Sequence, residues 1–137
     1  MGDNSIIMKV IDYIEDNLDG TLSLDEVADK AGYSKFHLNR LFSESVGFTI
    51  YKYIQTRRLT VAAEKLVNTK TPIIEIAYES NYDSQQSFTL AFRQLYLCTP
   101  QRYRIIGIHT PKLNRFTISN NFMMTYKFAV KCEGRVA

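Results

Sequence analysis

Apolar residues recur at three- and four-residue spacing through Ile6, Ile7, Val10, Ile11, Ile14 and Leu18, with Asp12, Glu15, Asp16 and Asn17 between them. That period predicts an amphipathic helix with an acidic, solvated outer face, stopped by Gly20. Ser23 and Glu26 have capping-box spacing ahead of the stripe Leu24, Val27, Ala28 and Ala31, so a second helix of about two turns is expected to end at Gly32. Ser34 then caps a third helix. Its inward residues are Leu38, Leu41, Phe42 and Val46, which leaves Lys35, His37, Asn39 and Arg40 on or near the outer face until Gly47 ends it.

Thr49 opens a longer helix over 49–66, with Ile50, Tyr53, Ile54, Val61, Ala62 and Leu66 as its buried positions. Pro72 fits the first turn of a fifth helix carrying Ile73, Ile74, Ile76 and Ala77. Ser84 caps a sixth, with Phe88, Ala91, Phe92 and Leu95 inward, and Thr99-Pro100 starts a seventh that runs to Arg104. Past Gly107 the period changes to two. Phe116 and Ile118, then Phe122, Met124, Tyr126, Phe128 and Val130, alternate around Ser119-Asn120-Asn121 and predict a β-hairpin.

The strongest signal of organisation is a repeat: AxxxGYSKFHLNRLF at 28–42 is echoed by AxxxNYDSQQSFTLAF at 77–92, with one extra residue near the turn. Each copy has the helix-turn-helix pattern of a small residue where two helices cross and a turn residue that tolerates positive φ, Gly32 in one and Asn81 in the other. The predicted fold class is therefore all-α. Seven helices form two helix-turn-helix units, about 6–48 and 73–104, linked by helix 49–66, with the domain ending at 107 and a hairpin tail over 108–137. Deleting 108–137 is expected to leave the function of the two units nearly intact, with some loss of solubility or stability.

The chain has 137 residues, 45% of them apolar and 23% charged, which suits one folded domain rather than a disordered or low-complexity chain. No apolar run approaches a membrane span and the N-terminus lacks the pattern of a secretory signal, so a cytoplasmic protein with no membrane partner is expected. Cys98 and Cys132 cannot build a disulfide framework, and with His37 and His109 they form no metal-ligand cluster; both thiols are expected to be reduced, and no cofactor or metal is expected. Charge is sorted along the chain. Residues 1–33 hold eight acids against two bases, 34–74 seven bases against two acids, 75–83 three acids, and 84–132 seven bases with no acid. Basic faces backed by acidic ones suit a polyanionic partner.

In a helix-turn-helix the second helix enters the major groove, with the residues near its N-terminus at base edges and its capped end facing phosphate. Arg40 has the chemistry to bond guanine bidentately, Asn39 and the glutamines Gln85 and Gln86 to bond adenine, and Phe36 to pack on a thymine methyl. Thr89 lies beside the glutamines. Leu90 offers only apolar contact, as a surface or a core residue. Ser34, Lys35, His37, Lys52, Arg57, Arg58, Ser84, Arg93, Arg102 and Arg104 are the candidate phosphate contacts, set against ordinary surface charge. Catalysis finds no constellation here, so the chain is expected not to be an enzyme.

The segments SLDEVADKAGYSKFHLNRLF, YIQTRRLTxA, IIEIA, DSQQSFTLAF and TPQRYR, in that order, resemble the DNA-binding domain of the AraC/XylS transcription regulators, and within them the MarA/SoxS/Rob group of small activators. The resemblance spans about 6–104. It implies monomeric binding to an asymmetric double-stranded promoter element, recruitment of RNA polymerase at stress and multidrug-resistance promoters, and a place at the bacterial nucleoid. Carried over by position, it implies base reading by Phe36, Asn39 and Arg40 from the first unit and by Gln85, Gln86 and Thr89 from the second. Leu90 departs from it, standing where close members often have arginine. The alternative is a protein-interaction module that binds RNA polymerase or a partner regulator with weak DNA specificity.

Overall fold

The computed structural model describes residues 2–117. Seven helices follow one another there, α1 (Gly2–Asp16), α2 (Leu24–Ala31), α3 (Lys35–Val46), α4 (Ile50–Asn68), α5 (Ile73–Glu79), α6 (Gln85–Tyr96) and α7 (Pro100–Ile106), and among the described residues there is no strand. The predicted hairpin around Ser119-Asn120-Asn121, and Cys132, lie outside the described residues. No described helix is long and apolar enough to cross a membrane. The first helix begins earlier than the apolar period predicts and stops at Asp16, while Leu18 still packs against the core from the loop beyond it.

Local chemistry sets the helix ends. The side chains of Ser23, Ser34, Thr49, Ser84 and Thr99 each accept the backbone N–H three residues on, from Glu26, His37, Lys52, Ser87 and Arg102. Each bond satisfies one of the donors that a helix start leaves orphaned, worth about 1 kcal/mol apiece. At the first turn of the repeat Gly32 is left-handed, with φ 76°, and at the second Asn81 takes the same conformation at φ 68°. The geometry is closely matched: Tyr33 N–H bonds the Ala28 carbonyl at 3.1 Å, and Tyr82 N–H bonds the Ala77 carbonyl at 3.0 Å. The extra residue is Asp83, placed between that turn and the Ser84 cap.

Two cores form, and α4 serves both. Its first half puts Ile50, Tyr53 and Ile54 against Ile7, Val10, Ile11 and Ile14 of α1, Val27 and Ala28 of α2, and Leu38, Phe42 and Val46 of α3. Its second half puts Leu59, Ala62, Ala63 and Leu66 against Ile76, Ala77, Phe88, Phe92, Tyr96 and Tyr103. Val61, predicted to be inside, is half-buried, and Ala63 takes the buried position. The second core is aromatic, with Phe92 stacked on Tyr96 at 4.6 Å and edge-on to Tyr103 at 5.4 Å. Cys98, a free thiol, packs half-buried at its margin.

The chain beyond 107 packs on the first unit. Leu113 and Phe116 are 2% and 3% exposed and belong to the first core, 50 residues or more along the chain from its helices α1 to α3. The segment 108–117 therefore runs back along α4. Leu113 N–H bonds the Thr60 hydroxyl at 3.2 Å, Phe116 N–H bonds the Tyr53 hydroxyl at 3.1 Å, and Arg115 pairs with Asp12 of α1. This part of the tail completes the first core.

Candidate nucleic-acid interface

The second helix of each unit carries the same pattern of exposure fifty residues apart. In α3, Lys35, Phe36, His37 and Arg40 face solvent over buried Leu38 and Phe42; in α6, Gln85, Gln86, Ser87 and Leu90 face solvent over buried Phe88 and Phe92. Register is fixed by matched caps, with Ser34 accepting from His37 N–H at 3.2 Å and Ser84 from Ser87 N–H at 3.1 Å. Both serines therefore hold a helix start together, and the remaining free N–H groups of that first turn point outward, where an anion is favoured.

On α3, the Arg40 guanidinium lies 3.4 Å from Nδ1 of His37, whose ring stacks on Tyr33 with centroids 5.0 Å apart. These contacts hold Arg40 and His37 on one face. Phe36 is 82% exposed beside them, and Lys35 leans toward Asp25 at 3.3 Å in an open ion pair of small energetic weight. Phe36 is thus no core residue. On α6, Gln85, Gln86, Thr89, Leu90 and Arg93 line one shallow surface depression, so the sequence-assigned readers of the second unit share a face with an exposed arginine.

The helix after each reading helix repeats the arrangement. Thr49 caps α4 and Thr99 caps α7, each holding the backbone of an exposed base, Lys52 and Arg102. Lys52 lines a crevice between α4 and α6 with Gln55, Gln94 and Leu95. Exposed candidates for phosphate are therefore Lys35, His37, Lys52, Arg93 and Arg102. Among the described residues no group of three His, Cys, Asp or Glu side chains could hold a metal ion.

A family model described as a helix-turn-helix domain matches residues 27–105. The TetD protein of transposon Tn10 from Escherichia coli is 49% identical over 100 residues, 73% of this chain and 72% of that protein. The multiple antibiotic resistance protein MarA of Salmonella typhimurium is 39% identical over 103 residues, 75% of this chain and 81% of that protein. A solved transcriptional regulator of AraC type, from Chromobacterium violaceum, aligns at TM-score 0.72 with 27% identity, covering 77% of this chain and 95% of that one. The chain belongs to the AraC-type family of helix-turn-helix transcription regulators.

Within this AraC-type fold, four of the sequence-assigned DNA contacts are engaged in holding the protein together. Asn39 is half-buried, and its Oδ1 accepts the Ile50 N–H at 3.0 Å, tying α3 to the start of α4. Arg57 donates to both carboxylate oxygens of Glu15, at 2.9 and 3.0 Å, and to the Leu113 carbonyl at 2.8 Å. Burial acts to lower the pKa of this guanidinium, but the hydrogen bond and charge of Glu15 outweigh it and raise it. Glu15 is itself 8% exposed rather than part of a solvated face, and the Tyr53 hydroxyl donates to it at 3.0 Å.

Arg58 and Arg104 do the same job in the two units. Arg58 donates to the carbonyls of Leu18 and Gly20, at 2.7 and 2.5 Å, and Arg104 to those of Leu66 and Thr71, at 2.8 and 2.7 Å. Each pins the loop that leads into its helix-turn-helix. Burial lowers the pKa of Arg58, partly offset by Tyr82 and Asp19. Two or three of the five N–H donors of Arg57, Arg58 and Arg104 are thus engaged within the protein.

Proposed function

We propose that the chain is a sequence-specific transcription activator that binds double-stranded promoter DNA as a monomer, lays α3 and α6 in successive major grooves, and recruits RNA polymerase. The observation that carries this reading is the fifty-residue repeat of a capped helix with an exposed polar and basic face, the two copies joined by α4. Grooves on one side of a duplex recur about every 34 Å, the spacing that α3 and α6 on their common scaffold would bridge. In α3, Arg40 reads guanine and Phe36 packs on a thymine methyl or sugar; in α6, Gln85, Gln86 and Thr89 are the polar readers. Lys35, His37, Lys52, Arg93 and Arg102 supply the phosphate contacts, and Ser34 and Ser84 present the helix starts. Likeness to a protein named for multiple antibiotic resistance supports drug-resistance promoters as targets. The reading assigns the chain no reaction.

A footprint on a matched element is expected to span about two helical turns. Arg40→Ala is expected to cost about 1–3 kcal/mol and to relax preference at one or two base pairs. Protection of a single groove would overturn the two-helix reading, and equal weakening on all duplexes would make Arg40 a phosphate contact. A second reading, a module that meets RNA polymerase or a partner regulator with weak DNA specificity, is favoured by Ile105, Ile106 and Ile108, three apolar side chains exposed together at the end of α7. Binding to scrambled and matched duplexes with equal affinity would select it.

A further inference from the structure

We propose that Leu90 is a specificity-determining residue of the second reading helix and that it reads the C5-methyl group of thymine. The inference rests on the DNA-reading function proposed above and names what one side of that interface recognises. Leu90 is 62% exposed, so it does not serve the core beneath α6, where Phe88 and Phe92 are fully buried. It stands among Gln85, Gln86, Thr89 and Arg93 on the face that carries the polar readers.

The internal repeat gives its place a second, independent argument. Counting from the matched caps Ser34 and Ser84, position 90 of α6 corresponds to position 40 of α3. Position 40 holds Arg40, exposed and held beside His37. The same slot thus presents a guanidinium in one unit and an isobutyl group in the other.

Chemistry then selects the base. A leucine can neither donate nor accept, and over the polar edge of a G·C pair it would strip water from O6, N7 or N4 without replacing the lost hydrogen bonds, a net cost. The single apolar feature in the major groove is the thymine methyl. Burying Leu90 against it gains on both partners. The second unit is accordingly expected to demand thymine at one or two positions and to be indifferent to the purine N7 there.

The test uses the whole chain and a duplex enriched with it from a randomised pool. Each thymine of that duplex is replaced in turn by deoxyuridine, which removes the methyl and leaves the hydrogen-bonding edge unchanged. One or two replacements within the α6 half are expected to weaken binding about fourfold each, the worth of burying one methyl-sized group. In Leu90→Ala those same replacements are expected to have no effect, while the thermal midpoint stays within a degree or so because the side chain is exposed. Replacing that thymine by cytosine is expected to weaken binding more than deoxyuridine does, and 5-methylcytosine to recover part of the loss. Specific binding with a two-turn footprint, but no deoxyuridine effect that depends on residue 90, would overturn the inference and leave the functional reading standing. Failure to enrich any duplex would overturn both.

Discussion

Arg57→Met separates a structural arginine from a DNA contact. The side chains of Arg57 and Glu15 are only 12% and 8% exposed, and the guanidinium makes three hydrogen bonds, two to that carboxylate and one to the Leu113 carbonyl. Methionine keeps much of the aliphatic stem but strips a nearly buried carboxylate of its cation. Breaking one side of such a pair costs about 3–5 kcal/mol, because the remaining charge stays desolvated. That is a large part of the ~5–15 kcal/mol that holds an ordinary domain together. Adding Glu15→Gln removes the stranded charge, so the double variant is expected to be more stable than the sum of the single effects by about 2 kcal/mol. Urea unfolding followed by circular dichroism measures all three. In parallel, the slope of log K against log salt on DNA is expected to stay at the parent value, measured where the variant is folded, whereas loss of a phosphate contact would lower it by about 0.9. A loss of stability under about 1 kcal/mol together with a shallower slope would refute the structural assignment.

Phe116→Ala is expected to cost about 3–5 kcal/mol in urea unfolding, because it empties a place in the first core; a cost under about 1 kcal/mol would show that the segment 108–117 does not seat there. Leu97 ends α6 in the left-handed conformation at φ 64°, at the slot where Gly47 ends α3, and its side chain is 44% exposed. Leu97→Gly is therefore expected to raise stability by about 1 kcal/mol, and an unchanged or lower urea midpoint would contradict it. Burial foremost raises the pKa of Tyr53, and likewise those of Tyr82 and Tyr103. Unfolded phenols lose their protons near pH 10 while the folded ones keep them, so this stability is fully present below about pH 9 and is lost as pH rises further. Tyr53→Phe is expected to flatten that alkaline slope between about pH 9 and 11, and a slope equal to the parent's would show that Tyr53 does not titrate late.

The helices were legible because their signals are local. A serine or threonine three residues ahead of the N–H it accepts, or a glycine just past an apolar stripe, acts within one turn. The arginines were not legible for the opposite reason. Nothing near Arg58 or Arg104 in the chain tells that a backbone carbonyl 40 or 38 residues away will meet the guanidinium. The bond of Asn39 was equally illegible, since the residue lies at the edge of a reading face and its partner is 11 residues on. One signal was available. Glu15 follows Ile11 by four residues and precedes Leu18 by three, so it lies on the apolar side of its helix, where a carboxylate requires a cation. Leu113 and Phe116 share a helix-like spacing of three within a segment that the period of the residues beyond it had claimed as strand.

The two units differ in an ordered way. Buried positions match across the fifty-residue offset, Leu38 with Phe88, Phe42 with Phe92 and Tyr53 with Tyr103, apolar or aromatic in each case. Exposed positions diverge in kind: Lys35 against Gln85, Phe36 against Gln86, Arg40 against Leu90. Burial constrains the first set, since a polar group there would be desolvated without a partner. Solvent leaves the second set free, so what varies there is what a partner meets. In the proposed binding mode, one groove meets a guanidinium beside an aromatic ring, and the next groove two amides beside an isobutyl group. The duplex that satisfies both faces has unlike halves. For the proposed reading, this division of chemistry favours an asymmetric element bound by a single copy of the chain, because a palindrome would leave one of the two faces on the wrong bases.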